Sequence, residues 1–216
     1  MTVTLEAGAV LFDLDGTLVD STTLITRSWT AWAVEQGLTR EDFRQVPLHG
    51  RPARDIVRDL VPAERVDGAL ASIIAIELAT PGGVVPLPGA VELLRSLPRH
   101  RWGIVTSGSD GIARPRLRVL DLEAPALVTA DDVRHGKPDP EPFLLCAARL
   151  GVAPEQCVVV EDAPAGLAAA RAAGMRAIAV STTHERSELV ADVIVDRLTS
   201  VRAVTDASGV VLLIEA

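Results

Sequence analysis

The sequence predicts an α/β fold, in which a Rossmann-like, doubly wound parallel sheet is interrupted by an inserted all-helical cap. Three observations predict it. From residue 90 onward, short apolar runs alternate with helix-like stretches, an order that is typical of parallel βαβ units. Those runs are nearly continuous, as at 158–160 and 177–180, which indicates strands buried on both faces. The stretch 41–80, in contrast, reads as helical pieces broken at prolines and contains no convincing strand.

The elements are predicted in the following order. The first strand covers 9–14, and Ser21 caps a helix that ends near Gly37, because apolar residues recur between them at helical spacing. The Pro- and Gly-rich stretch 81–89 is the linker that follows the helical pieces. The remaining elements are helix 90–97, strand 102–106, helix 110–120, strand 126–129, helix 141–150, strand 157–161, helix 165–173, strands 176–180 and 192–195, and a terminal hairpin of 203–206 and 210–214.

This order divides the chain into two predicted parts. Residues 1–18 and 86–216 form a discontinuous α/β core, and residues 19–85 form the helical cap. The loop after Asp15 and the Pro- and Gly-rich linker are the two expected connections between them. A chain of 216 residues is long enough for one large domain that carries such an insert.

The composition excludes several classes of partner. A net charge of -8 argues against a nucleic acid held by phosphate contacts, but a local pocket on an acidic protein can still bind a small phosphorylated ligand. No apolar run reaches the length of a membrane span, and the first residues lack the features of a signal peptide, so we expect a cytoplasmic protein. Cys146 and Cys157 lack metal-ligand spacing and are expected to be reduced, buried thiols.

The first strand ends in two carboxylates one residue apart, Asp13 and Asp15. Side chains at i and i+2 of a strand point to the same face, and ligands of open α/β sheets bind at the carboxyl ends of the strands. Two like charges this close repel each other, and the arrangement is tolerable if a cation neutralises one of them. The pair therefore predicts metal-assisted chemistry with a carboxylate nucleophile, although a simple turn at Asp15-Gly16 is the alternative.

Two later loops carry groups that suit an anion. Strand 102–106 runs into Thr106, Ser107 and Gly108, where a hydroxyl and a backbone N–H can bind phosphate oxygens, or where the hydroxyl only caps the next helix. Lys137 lies between Gly136 and Pro138, and the proline restricts its backbone. A lysine held in this way can neutralise a carboxylate and a phosphoryl oxygen together; an exposed loop lysine is the alternative.

A second acidic pair, Glu161 and Asp162, ends the buried strand 157–161. Acidic residues at two strand ends of a parallel sheet can converge on one hard cation, and Mg²⁺ takes one or two carboxylates together with waters and a phosphate oxygen. The alternative is that Asp162 only caps the helix that begins near Pro164.

These four motifs, in this order, resemble those of the haloacid dehalogenase superfamily, and the helical insert is similar to its C1 cap. The resemblance implies that Asp13 attacks phosphorus and forms an aspartyl-phosphate, while Asp15 acts first as general acid and then as base. It implies that Mg²⁺ is held by Asp13, the backbone carbonyl of Asp15 and Asp162, with Glu161 orienting the water shell of the metal. The phosphoryl group would be bound by Thr106, Ser107, Gly108 and Lys137.

The same resemblance extends to bacterial sugar and hexitol phosphatases and to glycerol-3-phosphate and 2-deoxyglucose-6-phosphate phosphatases. It implies a Mg²⁺-dependent phosphatase of small sugar or polyol monophosphates, as a monomer or weak homodimer. Specificity should lie in the cap, where His49 and Arg51 offer donors for substrate hydroxyls. A glycerol-3-phosphate phosphatase, a β-phosphoglucomutase-type phosphotransferase and an inactive binding protein on the same fold remain alternatives.

Overall fold

A computed structural model describes residues 2–39, 41–42, 46, 52–80, 82–205 and 209–215. Its centre is a parallel sheet of six strands, which confirms the predicted fold class. All residues of the three central strands are buried, as the continuous apolar runs indicated. In spatial order the strands are β6 (Leu127–Val128), β5 (Trp102–Val105), β2 (Ala9–Phe12), β7 (Cys157–Glu161), β8 (Arg176–Val180) and β9 (Val193–Val195).

Helices cover both faces of this sheet. The alternation of side chains along β2 separates two cores, because Val10 and Phe12 pack on one face and Ala9 and Leu11 on the other. The first core includes α4 (Ala90–Ser96) and α5 (Asp110–Leu117), and the second includes α6 (Glu141–Leu150) and α7 (Pro164–Ala172). The sheet is therefore doubly wound, and its strand ends converge on one edge.

The helical insert has a hydrophobic core of its own. It contains α1 (Thr22–Gln36), α2 (Ala53–Leu60) and α3 (Val66–Ala79), and the indole N–H of Trp32 donates to the Ala69 carbonyl at 2.8 Å. The two connections to the α/β part pair with each other as antiparallel strands, β3 (Val19–Asp20) and β4 (Val85–Pro86). The division of the chain into domains at 18/19 and 85/86 stays a prediction.

A second, antiparallel sheet was predicted only in part. The terminal hairpin forms as β10 (Val201–Thr205) and β11 (Val210–Glu215). However, β11 also pairs with β1 (Thr2–Ala7), a strand that was not predicted from the sequence. Leu5 and Ala7 of β1 are buried while Thr4 and Glu6 are not, so polar and apolar residues alternate there as in a half-buried strand. The predicted helix 110–120 ends at Leu117 and continues as a single 3₁₀ turn.

The composition led to predictions about the two cysteines and about membrane-spanning segments. Cys146 and Cys157 are free and buried, as predicted. In the part of the chain that the structure describes, no helix combines the length and the apolar character that a membrane crossing requires.

Candidate active site

Lys137 joins three strand ends at the carboxyl edge of the parallel sheet. Its ammonium nitrogen Nζ donates to Asp13 Oδ1 at 2.5 Å, to Glu161 Oε1 at 2.9 Å and to the Val105 carbonyl at 3.1 Å. These residues belong to β5 and β7 and to the loop that directly follows β2. The lysine side chain is only 1% exposed, which contradicts the alternative of a solvated loop lysine. The structure thus brings the first, third and fourth predicted motifs into direct contact.

Burial and charge perturb the proton affinities of this cluster. Burial raises the pKa of Asp13 to about 7, because removal of water outweighs the attraction of Lys137, and the charge of Glu161 adds to the rise. The two carboxylates together hold the pKa of Lys137 above its ordinary value, against the opposing effect of burial. One ammonium group shared by two buried carboxylates leaves the cluster short of positive charge.

Asp162 adds a third carboxylate to the same place. Oxygens of Asp13, Glu161 and Asp162 lie within 4.8 Å of one another, and all three residues are buried. Burial raises the pKa of Asp162 well above its ordinary value, and the charges of the other two acids add to that rise. One ammonium group does not balance the charge of three clustered carboxylates. Hard carboxylate oxygens in such a cluster fit a small divalent cation such as Mg²⁺.

The other contacts of the two acids after β7 separate their roles. Asp162 accepts hydrogen bonds from the hydroxyls of Thr17, at 3.1 Å, and Thr183. The N-cap residue of α7 is Ala163, and no side chain caps this helix, which contradicts the alternative that Asp162 only caps it. Glu161 uses one oxygen on Lys137 and the other on the N–H of Ala163 at 2.6 Å. The Glu161 oxygens are held by an ammonium group and a backbone N–H, whereas those of Asp162 accept only from side-chain hydroxyls, which can rotate. Among the described residues, Lys137 contacts Asp13 through Oδ1. Asp13 and Asp162 are therefore the better placed to reach a metal directly.

Two glycines make room for these acids. Gly16 has a φ of 91°, and a Cβ atom there would overlap the carboxylate of Asp162. A Cβ atom on Gly166, in the first turn of α7, would overlap the carboxylate of Glu161. Only glycine, which has no Cβ atom, lets the backbone lie this close to the two carboxylates, so both positions restrict where the carboxylate oxygens can lie.

The three residues of the loop after β5 that we expect to bind phosphate differ in their contacts. The Thr106 hydroxyl accepts the N–H of Gly108 at 3.1 Å, so these two groups are engaged with each other. The Ser107 hydroxyl, in contrast, is buried and has no hydrogen-bond partner among the described residues. A buried polar group without a partner is uncommon, and Ser107 is therefore the group of this loop that suits a ligand oxygen.

Asp15 lies beside this cluster in a different environment. Its Oδ1 accepts the hydroxyl of Ser21 at 2.6 Å, and its Oδ2 pairs with Nη1 of Arg116 at 2.7 Å. Ser21 is the N-cap residue of α1, as predicted, but its hydroxyl turns to Asp15 and not to the helix, while Asp20 accepts the N–H of Thr22. Arg116 also pairs through Nη2 with Glu77 of the insert at 2.9 Å.

Arg116 and Glu77 were not identified from the sequence, although a signal exists. Arg116 falls at helical spacing with the buried Ile112 of α5, and Glu77 with the buried Ile73 of α3. A charged residue on the apolar face of a helix indicates a buried partner of opposite charge. The spacing marks both residues as facing inward, but it does not say that they meet each other and Asp15.

The cap residues expected to face substrate, His49 and Arg51, lie outside the described residues. Just after them, Pro52 lies so close to Gly136 that a Cβ atom on this glycine would come within 2.8 Å of the proline ring. A cleft of about 410 Å³ opens here between insert and sheet, bordered by Pro52, Asp55 and Arg58 on one side and by Lys137 on the other.

Comparisons with known proteins identify the family of this chain. The sequence profile of haloacid dehalogenase-like hydrolases matches residues 7–174. The chain is 39% identical over 210 residues to hexitol phosphatase A of Escherichia coli (strain K12), which covers 94% of this chain and 97% of that protein. It is 38% identical to fructose-1-phosphate phosphatase YqaB of the same organism, over 79% of this chain and 95% of that protein. The chain belongs to the haloacid dehalogenase-like hydrolases, as its four motifs predicted.

Solved structures share the architecture. A hydrolase from Pseudomonas syringae superimposes with a TM-score of 0.81 at 27% identity, over 88% of this chain and 94% of that one. A β-phosphoglucomutase from Clostridium difficile superimposes with a TM-score of 0.73 at 23% identity, over 89% and 92% of the two chains, and shows the same fold.

Proposed function

We propose that this protein is a Mg²⁺-dependent phosphatase that hydrolyses small sugar or polyol monophosphates through an aspartyl-phosphate on Asp13. The observation that carries the proposal is the buried cluster in which Lys137 contacts Asp13 and Glu161 while Asp162 lies beside them. That the chain is a phosphoric monoester hydrolase follows from its family and from relatives that are named phosphatases. The metal, the intermediate and the residue roles are the new parts of the proposal.

The chemistry proceeds in two steps on the residues of this cluster. A carboxylate oxygen of Asp13 forms a bond to phosphorus, the ester P–O bond breaks, and the departing alcohol oxygen takes a proton from Asp15. Water then attacks phosphorus and gives a proton to Asp15, which restores Asp13 and releases inorganic phosphate. Phosphoryl transfer depends mainly on positioning and charge neutralisation, so few residues suffice.

Asp13, Asp162 and the main-chain carbonyl of Asp15 would hold Mg²⁺. When bound, this ion supplies the positive charge that offsets the carboxylates and the phosphoryl oxygens. Glu161 stays in its contacts with Lys137 and Ala163 and keeps the lysine in place.

Ser107 and Lys137 would bind the transferring phosphoryl group. The Ser107 hydroxyl has no hydrogen-bond partner among the described residues, and the Lys137 ammonium already lies 2.5 Å from Oδ1 of Asp13, the proposed nucleophile. The backbone of Gly108 and the hydroxyl of Thr106 hold the loop in the shape that presents Ser107. This arrangement places two donors where negative charge develops.

The leaving group would lie in the cleft between the insert and the sheet. Its border carries the polar side chains Asp55 and Arg58, which suits a ligand rich in hydroxyl groups. His49 and Arg51 precede this border in the sequence and remain our proposed substrate-binding residues of the insert. Relatives named for hexitol and fructose 1-phosphate support a sugar or polyol as the leaving alcohol.

Phosphate release from a panel of hexitol, hexose and glycerol phosphates, each with Mg²⁺ and with EDTA, tests the proposal. We expect metal-dependent release from at least one sugar or polyol ester. Absence of metal-dependent turnover on the whole panel would contradict it and would favour a binding protein on the same fold. Interconversion of glucose phosphates with little free phosphate would instead identify a mutase.

A further inference from the structure

We propose that Arg116 is a positioning residue for Asp15 and that Glu77 of the helical insert holds Arg116 in that position. The inference rests on the proposed function, since it concerns the group that we assign as general acid and base. It assigns a role to two buried charged residues outside the four motifs. Their hydrogen bonds and ion pairs reach each other and Asp15, and among the described residues none of these contacts reaches Lys137 or its carboxylate partners.

Side-chain contacts hold both carboxylate oxygens of Asp15. Arg116 donates from Nη1 to Oδ2 at 2.7 Å, and Ser21 donates to Oδ1 at 2.6 Å, so both oxygens and the plane of the carboxyl group are fixed. A guanidinium can only donate, whereas a hydroxyl can donate or accept. Oδ2 is therefore the anchored oxygen, and Oδ1 is the oxygen that can carry the transferred proton while keeping its contact with Ser21.

The ion pair between Arg116 and Glu77 is buried. The side chains of Arg116 and Glu77 are each 7% exposed, and their ion pair spans 2.9 Å. Burial of charges is expensive unless they are paired, and two carboxylates around one guanidinium hold all three groups in a defined arrangement. Exposed ion pairs such as Arg114–Asp110 on the same helix lack this constraint.

The three residues of this contact come from separate elements of the fold. Glu77 belongs to α3 of the insert, Arg116 to α5 against the sheet, and Asp15 to the loop after β2. The contact therefore runs from the insert to the catalytic loop. A cavity of about 390 Å³ that is bordered by Glu77 and Arg116 lies beside it. The orientation of Asp15 thus depends on a residue of the segment that borders the leaving group.

The test separates positioning of the acid from general damage by changing the leaving group. An alcohol must be protonated as it leaves, whereas p-nitrophenolate leaves without a proton. Single-turnover rates of the first step are measured with p-nitrophenyl phosphate and with the alkyl ester of the panel that the wild-type protein cleaves fastest. Asp15→Asn sets the scale, because it removes the proton donor itself.

Two variants test the chain of contacts. Arg116→Met together with Glu77→Met removes both buried charges at once, so that neither is left unpaired in the fold. We expect it to slow cleavage of the alkyl ester about 100-fold and that of the aryl ester only a few-fold. Glu77→Gln keeps the shape of the side chain and removes its charge, and we expect a smaller loss that is again confined to the alkyl ester.

Arg114→Gln is the matched control, because it breaks an exposed ion pair on the same helix, and we expect both rates to stay at the wild-type level. Equal losses on the two esters, or no loss on either, in Glu77→Gln and in the double variant would overturn the assignment of Arg116. If Asp15→Asn itself showed no difference between the esters, the proposed acid would be wrong instead. These two failures are therefore distinguishable.

Discussion

Replacement of Lys137 by methionine is the perturbation that probes the buried cluster most sharply. Methionine fills a similar volume without a charge. It removes the ammonium that lies 2.5 Å from Asp13 and 2.9 Å from Glu161, whose side chains are 9% and 0% exposed. Because both carboxylates are largely removed from water, solvent compensates little of the lost charge, and we expect the metal-free protein to lose about 3–5 kcal/mol of unfolding free energy near pH 8.

The loss should depend on pH in a defined direction. Burial already raises the pKa of Asp13 to about 7, and removal of Lys137 raises it further. A carboxyl whose folded pKa is raised gives stability that is present at low pH and lost as the pH rises through that pKa. Lys137 itself stays charged throughout, since its pKa is raised above its ordinary value. The penalty should therefore shrink by up to about 1.4 kcal/mol per pH unit as the pH falls from 8 towards 7, and should level off below the wild-type pKa of about 7, where Asp13 is protonated in both folded proteins.

Urea unfolding followed by circular dichroism in EDTA, near pH 8 and near pH 5.5, measures this penalty. Arg54→Met is the matched control, because it removes one charge of an exposed pair with Asp67 of 2.9 Å, and it should cost at most about 1 kcal/mol at both pH values. A Lys137→Met penalty no larger than that of the control, or one that does not change with pH, would show that the buried carboxylates do not depend on the charge of Lys137.

Three further predictions concern the surroundings of the cluster. Gly166→Ala should weaken Mg²⁺ binding in calorimetry, because the new methyl group overlaps Glu161, whereas Gly111→Ala, in open space within α5, should leave it unchanged. The rise in melting temperature on addition of Mg²⁺ should be larger near pH 8 than near pH 6, since a proton on Asp13 competes with the metal; an equal rise would contradict this. Iodoacetamide should label neither cysteine of the folded protein, as burial raises the pKa of Cys146 to about 12; fast labelling would contradict it.

The groups at the strand ends could be predicted because parallel topology brings distant parts of the sequence to one edge. Asp13 and Lys137 are 124 residues apart, yet each follows a strand of the same parallel sheet. Once the strands are recognised from their apolar runs, the polar residues after them must converge. The sequence did not say which hydroxyl of the loop after β5 stays available, since Thr106 and Ser107 are adjacent and only the fold turns Thr106 to Gly108.

Contacts between separate elements could not be predicted from the pattern of apolar residues. The spacing within α3 and α5 marks Glu77 and Arg116 as inward-facing, but their meeting depends on how the insert lies against the sheet. The strand β1 was missed for a related reason, because it is stabilised by pairing with β11 at the opposite end of the chain. In both cases the deciding interaction joins residues that no local window contains.

Trapping of the covalent intermediate tests whether Asp13 carries the phosphoryl group. The Asp15→Asn protein is mixed with p-nitrophenyl phosphate and Mg²⁺, quenched in acid, and its peptides are analysed by mass spectrometry. The first step needs no acid for this ester and the second step lacks its base, so a phosphoryl group should accumulate on Asp13 and be absent when Asp13→Asn is added. A burst of p-nitrophenol without phosphorylated Asp13, or a phosphoryl group on another residue, would contradict the account.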